Sequence, residues 1–352
     1  TGTELWRTDG TAAGTTRVAD IQPGSASSDP NALTAINGRL YFSADNGTTG
    51  RELWGSDGTE AGTVQIRDIN VGAAGSNPSQ FTLLDATRFL FLAFTEAEGY
   101  ELYISDGTTA NTRLVRDIRP GPSSSFPIGF TRLGAFLYFT ANNGTSGFEL
   151  WRSDGSEAGT TLVQDINPGA EDSFAGLFGL AMATTGNTLL FGADDGTRGD
   201  ELWQTDGTTT SLLRDINLGA GSSLPLELTN INGYIYFSAD NGTQGRELWR
   251  TDSTADGTIL VRDINPGAGG SDPGDFFETS GGIVFFSADG GTNGDELFSF
   301  VAPPPIITGD RNVFLPLVIR AFTPTPTNTP TPTPSPTPGI TAFAFSAPDP
   351  AS

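Results

Sequence analysis

Cysteine, histidine and lysine are all missing from this 352-residue chain, and methionine occurs once. Without cysteine there is no disulfide framework, no thiolate metal site and no cysteine nucleophile. Without histidine, the Ser-His-Asp triad and the usual zinc and haem ligation fall away. Without lysine there is no Schiff base and no Walker-type phosphate ligand. Paired carboxylates are the common catalytic device that remains. Basic charge is scarce too: 18 arginines stand against 41 acidic residues, giving a net charge of −23. That balance argues against a nucleic-acid partner and against insertion into or binding to anionic membranes, and it favours solubility and cation binding. No apolar run reaches the roughly 18 residues of a spanning helix, and no helical periodicity is visible. No signal peptide is visible either. The chain opens inside a repeat, at Thr1-Gly2-Thr3-Glu4-Leu5-Trp6, so upstream sequence carrying any targeting signal is expected.

What the chain does have is a repeat. All five tryptophans, Trp6, Trp54, Trp151, Trp203 and Trp249, end the tripeptide Glu-Leu-Trp, and two further copies carry Tyr103 and Phe298 there. The opening glutamates are Glu4, Glu52, Glu101, Glu149, Glu201, Glu247 and Glu296, spaced 48, 49, 48, 52, 46 and 49 residues apart. Within the unit at 30–78, Ala32–Ile36 and Arg39–Ala44 flank Asn37-Gly38, the strongest two-residue hairpin signal. After the loop 45–50, Arg51–Ser56 forms a third strand. Asp57-Gly58-Thr59 turns the chain, and Gly62-Thr63 leads into a fourth, Val64–Ile69. A loop rich in Gly, Ser, Asn and Pro then leads to the next unit.

Four short strands, a to d, at a period of 48–49 predict an all-β chain, a β-propeller of six or seven four-stranded antiparallel blades. One blade cannot bury both faces alone, so the recurrent Trp is expected between neighbouring blades. The chain supplies strands c and d, five whole units, then a, b and c. Residues 1–21 and 276–300 could pair to close a six-bladed ring. Alternatively an upstream a–b pair is missing, and Val313–Ile319 closes a seventh blade at an outer edge, where Pro316 is tolerated. The propeller is placed at 1–300 and a connector at 301–322. The Thr/Pro spacer at 323–338 is expected to be disordered and extended. Residues 339–352 read as the start of a further domain.

The segment Glu52-Leu53-Trp54-Gly55-Ser56-Asp57-Gly58-Thr59, continuing through Ala61-Gly62-Thr63 to Asp68-Ile69, resembles the bacterial ELWxxDGT repeat proteins. Glu149–Thr160 matches nearly as well, and the resemblance covers residues 1 to about 300. Departures occur at Tyr103, Ser253 and Phe298. The resemblance implies a secreted or cell-surface protein and assigns no activity. Phe314-Leu315-Pro316-Leu317-Val318 ahead of the spacer is also similar, in composition, to tails of secreted proteins from Chloroflexota-type bacteria.

The b–c and d–a loops should share one acidic, loop-rich rim, the expected binding face. Six-residue strands hold Asp45 and Asp57 about 20 Å apart, so they cannot share an ion. Asp194, Asp195, Asp240, Asn241 and Asp289 are the candidate calcium ligands, calcium being the cofactor that clustered Asp, Asn and carbonyl oxygens suit. The same Asp-Asn-Gly-Thr pattern is also plain turn chemistry. Seven equivalent glutamates argue against catalysis, which needs asymmetry. Glu52, Glu149, Glu201 and Glu247 should instead take backbone N–H groups, or Arg67, Arg116, Arg214 or Arg262. With Trp54, Trp151, Trp203, Trp249, Asp57, Gly58 and Asp68 they form the structural motif. The expected function is a non-enzymatic binding or scaffolding module for a protein or glycan. The alternative is a polysaccharide lyase or glycosidase with a carboxylate pair, sought first in 171–185, within the longest repeat interval.

Overall fold

The computed structural model describes residues 2–174, 182–305 and 319–321, and all regular elements among them are strands. They form seven antiparallel sheets within a compact unit spanning Thr1–Ala321. The first sheet pairs β1 (Leu5–Arg7) with β2 (Thr16–Ala19). The second runs β3 (Asn31–Ile36), β4 (Arg39–Asp45), β5 (Arg51–Ser56), β6 (Val64–Arg67). The third runs β7 (Ser79–Leu83), β8 (Phe89–Thr95), β9 (Gly99–Ser105), β10 (Arg113–Arg116). The fourth is β11 (Ile128–Leu133), β12 (Phe136–Asn142), β13 (Phe148–Ser153), β14 (Thr161–Gln164). The fifth is β15 (Met182–Thr185), β16 (Thr188–Asp194), β17 (Asp200–Thr205), β18 (Thr210–Arg214). The sixth is β19 (Leu226–Ile231), β20 (Tyr234–Asp240), β21 (Arg246–Thr251), β22 (Ile259–Arg262). The seventh is β23 (Gly274–Glu278), β24 (Ile283–Asp289), β25 (Asp295–Val301), β26 (Arg320–Ala321). In every four-stranded sheet the strands lie in chain order. The first strands β3, β7, β11, β15, β19 and β23 contact one another in succession, so the sheets fan about a common axis. This is a β-propeller.

One expectation about the ends is corrected. Residues 1–21 do not complete a blade with 276–300: β1 pairs with β2, and β25 pairs with β24 and β26. Among the described residues the strand that pairs with β25 is Arg320–Ala321, and Ile319, the last residue of the expected 313–319, is buried with Phe298 and Phe300. Residues 313–318, the Thr/Pro segment and 339–352 lie outside the described residues.

Each junction between sheets is built the same way. Leu90, Leu102, Ile104 and Ile118 of the third sheet meet Leu137, Phe139, Ala141 and Trp151 of the fourth. One face of each sheet thus offers the Leu of Glu-Leu-Trp and the next sheet answers with its Trp. The equivalent sets recur at the other five junctions. Trp54, Trp151, Trp203 and Trp249 are buried there, as are Tyr103 and Phe298. The indole N–H groups of Trp54, Trp151 and Trp249 find no acceptor among the described residues. The position therefore asks for ring area rather than a donor, and Tyr and Phe can replace Trp. At the two ends the pattern has no counterpart: Trp6 is 56% exposed and Leu297 45%. Arginines on the fourth strands add a second link. The guanidinium groups of Arg67, Arg116 and Arg214 donate to the carbonyls of Thr112, Thr160 and Ala255 in the following sheet, and Arg262 donates to that of Ile319 beside β26.

The c–d turn explains the second half of the motif. Asp57 Oδ1 accepts the N–H and hydroxyl of Thr59 at 2.9 and 2.7 Å. The Thr59 hydroxyl first, then its N–H, holds the Asp57 carboxyl below its usual range. Gly62 must lack a side chain because a Cβ there would lie 2.0 Å from Asp57 Oδ1. Gly159 stands in the same relation to Asp154, and Gly257 to Asp252.

Candidate functional site

The recurrent glutamate stands on the third strand of each unit, directly beneath the d–a loop. Glu52, Glu101, Glu149, Glu201 and Glu247 are fully buried. Glu101 shows the arrangement: it accepts the N–H of Ile118 at 2.9 Å, the N–H of Ser125 at 3.0 Å and the Ser125 hydroxyl at 2.6 Å. Glu52 takes Ile69, Ser76 N–H and Ser76 hydroxyl in the same way. Glu149 is bonded by Ile166 N–H and the Ser173 hydroxyl, and Glu201 and Glu247 repeat the set. The carboxylate therefore pins the loop to the sheet. Of the two partners expected for it, the structure supplies the N–H groups; the arginines are spent on carbonyls of the next sheet. Burial pushes Glu101 and Glu149 up to about 7, against the pull of their serine and N–H donors, with Asp117 and Asp165 adding repulsion. Burial raises Glu52, Glu201 and Glu247 as well. The neighbouring Asp68, Asp117, Asp165, Asp215 and Asp263 each keep one buried oxygen without a hydrogen-bond partner among the described residues.

The serines were not singled out in the sequence, though a signal was there. Ser28-Asp29-Pro30, Ser76-Asn77-Pro78, Ser125-Phe126-Pro127, Ser223-Leu224-Pro225 and Ser271-Asp272-Pro273 recur in five units, while the unit of Glu149 has Ser173-Phe174-Ala175 instead. The middle residue carries a positive φ each time: 43° at Asp29, 48° at Asn77, 49° at Phe126, 46° at Leu224 and 43° at Asp272. Such a backbone is strained for a non-glycine residue, most of all for a bulky one. It is held because the middle N–H donates back to the residue just before the repeated glutamate, as from Phe126 to Tyr100 O at 3.3 Å and from Asp272 to Arg246 O at 3.2 Å. Proline after it removes other options. The side chain of this residue is exposed on the rim in all five.

The candidate calcium ligands lie on the same rim, in the b–c loops, as the register requires. Asp45 pairs with Arg51 and Leu40 with Ser56, so Asp57 falls at the opposite end. Asp194 Oδ1, Asp240 Oδ1 and Asp289 Oδ1 each accept the N–H of a glycine two residues on at 2.7 Å. Asp195 Oδ1 accepts Thr197 N–H and hydroxyl, with Arg198 paired to its other oxygen. Asn241 Oδ1 accepts from Thr243 and Gln244. These oxygens order their own loops. Among the described residues no three acidic side chains converge.

Three positions per sheet gather on this rim: the residue before the repeated glutamate on the third strand, its pairing partner on the second strand, and the middle of the Ser-x-Pro. In the second sheet they are Asp45, Arg51 and Asn77; in the sixth, Asp240, Arg246 and Asp272, with Arg246 and Asp272 paired at 3.5 Å. In the fifth they are Asp194, Asp200 and Leu224. The third sheet departs. Its set is Phe94, Tyr100 and Phe126. Phe94 and Tyr100 lie 5.1 Å apart between ring centres, and Tyr100 stacks on Phe126 at 5.4 Å and 26°. Of residues 171–185, Asp172 accepts the N–H of Phe148 at 2.7 Å and Glu171 is exposed; 175–181 lie outside the described residues.

No protein-family model matches the chain, and no curated protein matches it. Among solved structures, it is similar to one from a study of two prolyl endopeptidases, at 11% identity and a TM-score of 0.47, over 79% of this chain and 42% of that one. It is also similar to a puromycin hydrolase, at 14% identity and a TM-score of 0.42, over 85% of this chain and 55% of that one. The chain thus spans about half the length of these structures.

Proposed function

We propose that this protein is a non-enzymatic binding or scaffolding propeller that works outside the cell or at its surface and recognises a protein or a glycan through the b–c rim. The observation that carries the reading is the division of labour on that rim. The repeated carboxylate of each unit is buried and committed to holding the d–a loop. Of the positions that differ from sheet to sheet, the middle residue of the Ser-x-Pro is exposed in all five and Asp45, Arg51, Asp194, Asp240 and Arg246 are half-buried at the surface, displayed on a rigid frame. A glycosidase of the alternative kind needs two carboxyl groups open to one substrate, whereas here the member with the raised pKa is sealed and repeated in five sheets. The Thr/Pro composition of 323–338 supports a spacer that holds the propeller off a surface.

The test is a binding screen against arrayed glycans and extracellular proteins. Asp194→Asn with Asp240→Asn alters the b–c rim while keeping its turns; Glu60→Gln with Glu157→Gln alters the opposite rim. Loss of binding in the first pair and not the second is expected. Release of product from any polysaccharide in the screen would replace the reading with an enzyme.

A further inference from the structure

We infer that the Phe94–Tyr100–Phe126 stack is a platform for the flat face of a neutral pyranoside in a glycan. The inference rests on the binding-rim reading and gives its ligand a class. Its first support is that the fold does not require these rings. The second and sixth sheets use Asp45, Arg51, Asn77 and Asp240, Arg246, Asp272 at the same places and keep the same hydrogen bonds. Aromatic residues at all three positions of the third sheet are therefore in excess of what the blade needs.

The second support is access. Phe94 and Tyr100 are half-buried and Phe126 is 37% exposed. The loop holds the middle Ser-x-Pro residue at a positive φ in all five units, +49° at Phe126, a conformation that Asn or Asp adopts more readily than a bulky ring.

The chemistry then selects the ligand. Half-exposed ring faces carry negative quadrupole charge and attract the polarised C–H groups on the flat side of a pyranose. Glu96 is exposed beside the stack and Ser124 turns its hydroxyl to the N–H of Tyr100; a carboxylate and serine hydroxyls are acceptors for sugar hydroxyl groups. Three rings are far short of the roughly 800 Å² per partner of a stable protein interface. A net charge of −23 repels uronic and sulfated glycans, which leaves neutral ones.

The experiment is calorimetric titration of the whole chain with cellohexaose, mannohexaose and maltohexaose, against hexagalacturonate and an acetylated hexaproline peptide. Phe94→Asp, Tyr100→Arg and Phe126→Asn together copy the second sheet's own set, so folding should be kept; Phe126→Asn alone is the milder variant and relieves the strained φ. We expect at least one neutral hexaose to bind, Phe126→Asn to weaken it about tenfold or more, and the triple variant to abolish it with little change in melting temperature. Undiminished binding by the folded triple variant, or binding of none of the three hexaoses, overturns the inference. Preference for hexaproline over every sugar overturns the glycan assignment and leaves the binding rim standing. Cleavage of a hexaose that depends on the stack would instead overturn the non-enzymatic reading and keep the platform.

Discussion

The buried Glu/Asp pairs predict an inverted dependence of stability on pH. Glu101 and Glu149 titrate near 7 in the folded protein against an ordinary 4.5, because burial disfavours their charged form. Between those values the folded chain holds protons that the unfolded chain has already lost. Their contribution is fully present below pH 4.5 and disappears as pH rises through about 7. A rise of that size is worth about 3 kcal/mol per group. Glu52, Glu201 and Glu247 act in the same direction. On the acid side the carboxylates held low set the limit. Asp85 falls to about 2 although burial opposes it, because the N–H groups of Thr87 and Arg88 and the Arg88 guanidinium prevail; its contribution is lost as pH falls below the usual carboxylate range. Stability should therefore peak near pH 4–5.

The assay is urea unfolding or calorimetry from pH 4.5 to 8 in 0.5 M NaCl, where general repulsion among surface carboxylates is screened and a buried pair is not. A loss of roughly 3–6 kcal/mol between pH 5 and 7.5 is expected, seen as a fall in melting temperature on the order of 10 °C. Asp117→Asn removes the negative neighbour and should flatten part of that slope. Stability that is level or rising from pH 5 to 7.5 in high salt would refute the argument, and would mean that the serine and N–H donors keep these glutamates ionised despite burial.

Three further outcomes are expected. Trp151→Ala opens a cavity between the third and fourth sheets and should cost about 3–5 kcal/mol by chemical unfolding, whereas Trp6→Ala should cost under about 1 kcal/mol because that ring is mostly exposed. Gly159→Ala drives a Cβ to 2.0 Å from Asp154 Oδ1 and should destabilise by about 1–3 kcal/mol, while Gly281→Ala, with only Thr279 Oγ1 nearby at 3.8 Å, should be neutral in the same assay. Because the Oδ1 atoms of Asp194, Asp240 and Asp289 are already bonded to their own loops, millimolar calcium should raise the melting temperature no more than magnesium at matched ionic strength; a calcium-specific rise would instead mark a site built from the remaining oxygens.

Most of the architecture is legible in the sequence because it is local and repeated. Asn37-Gly38 specifies a hairpin, Asp57-Gly58-Thr59 with Gly62 specifies a turn, and seven copies at one period require stacked sheets, which in turn requires Trp54 and its counterparts to be buried. Burial of the glutamate was readable by the same logic, since an equivalent carboxyl in every blade is more economically a brace than a catalyst. The tertiary structure decided what depends on residues distant in the chain. The brace is closed by a serine 24 positions on from Glu101, Ser125, and neither its partner nor its strained neighbour follows from local pattern. Which end pairs with which was decided only in the fold: β1 pairs with β2, and β25 with β24 and Arg320–Ala321. The meeting of Phe94, Tyr100 and Phe126 likewise required the register of β8 on β9 and the backward hydrogen bond of a d–a loop. Each of these rings alone reads as an ordinary strand or loop aromatic, because sequence distance hides a contact that the sheet's geometry imposes.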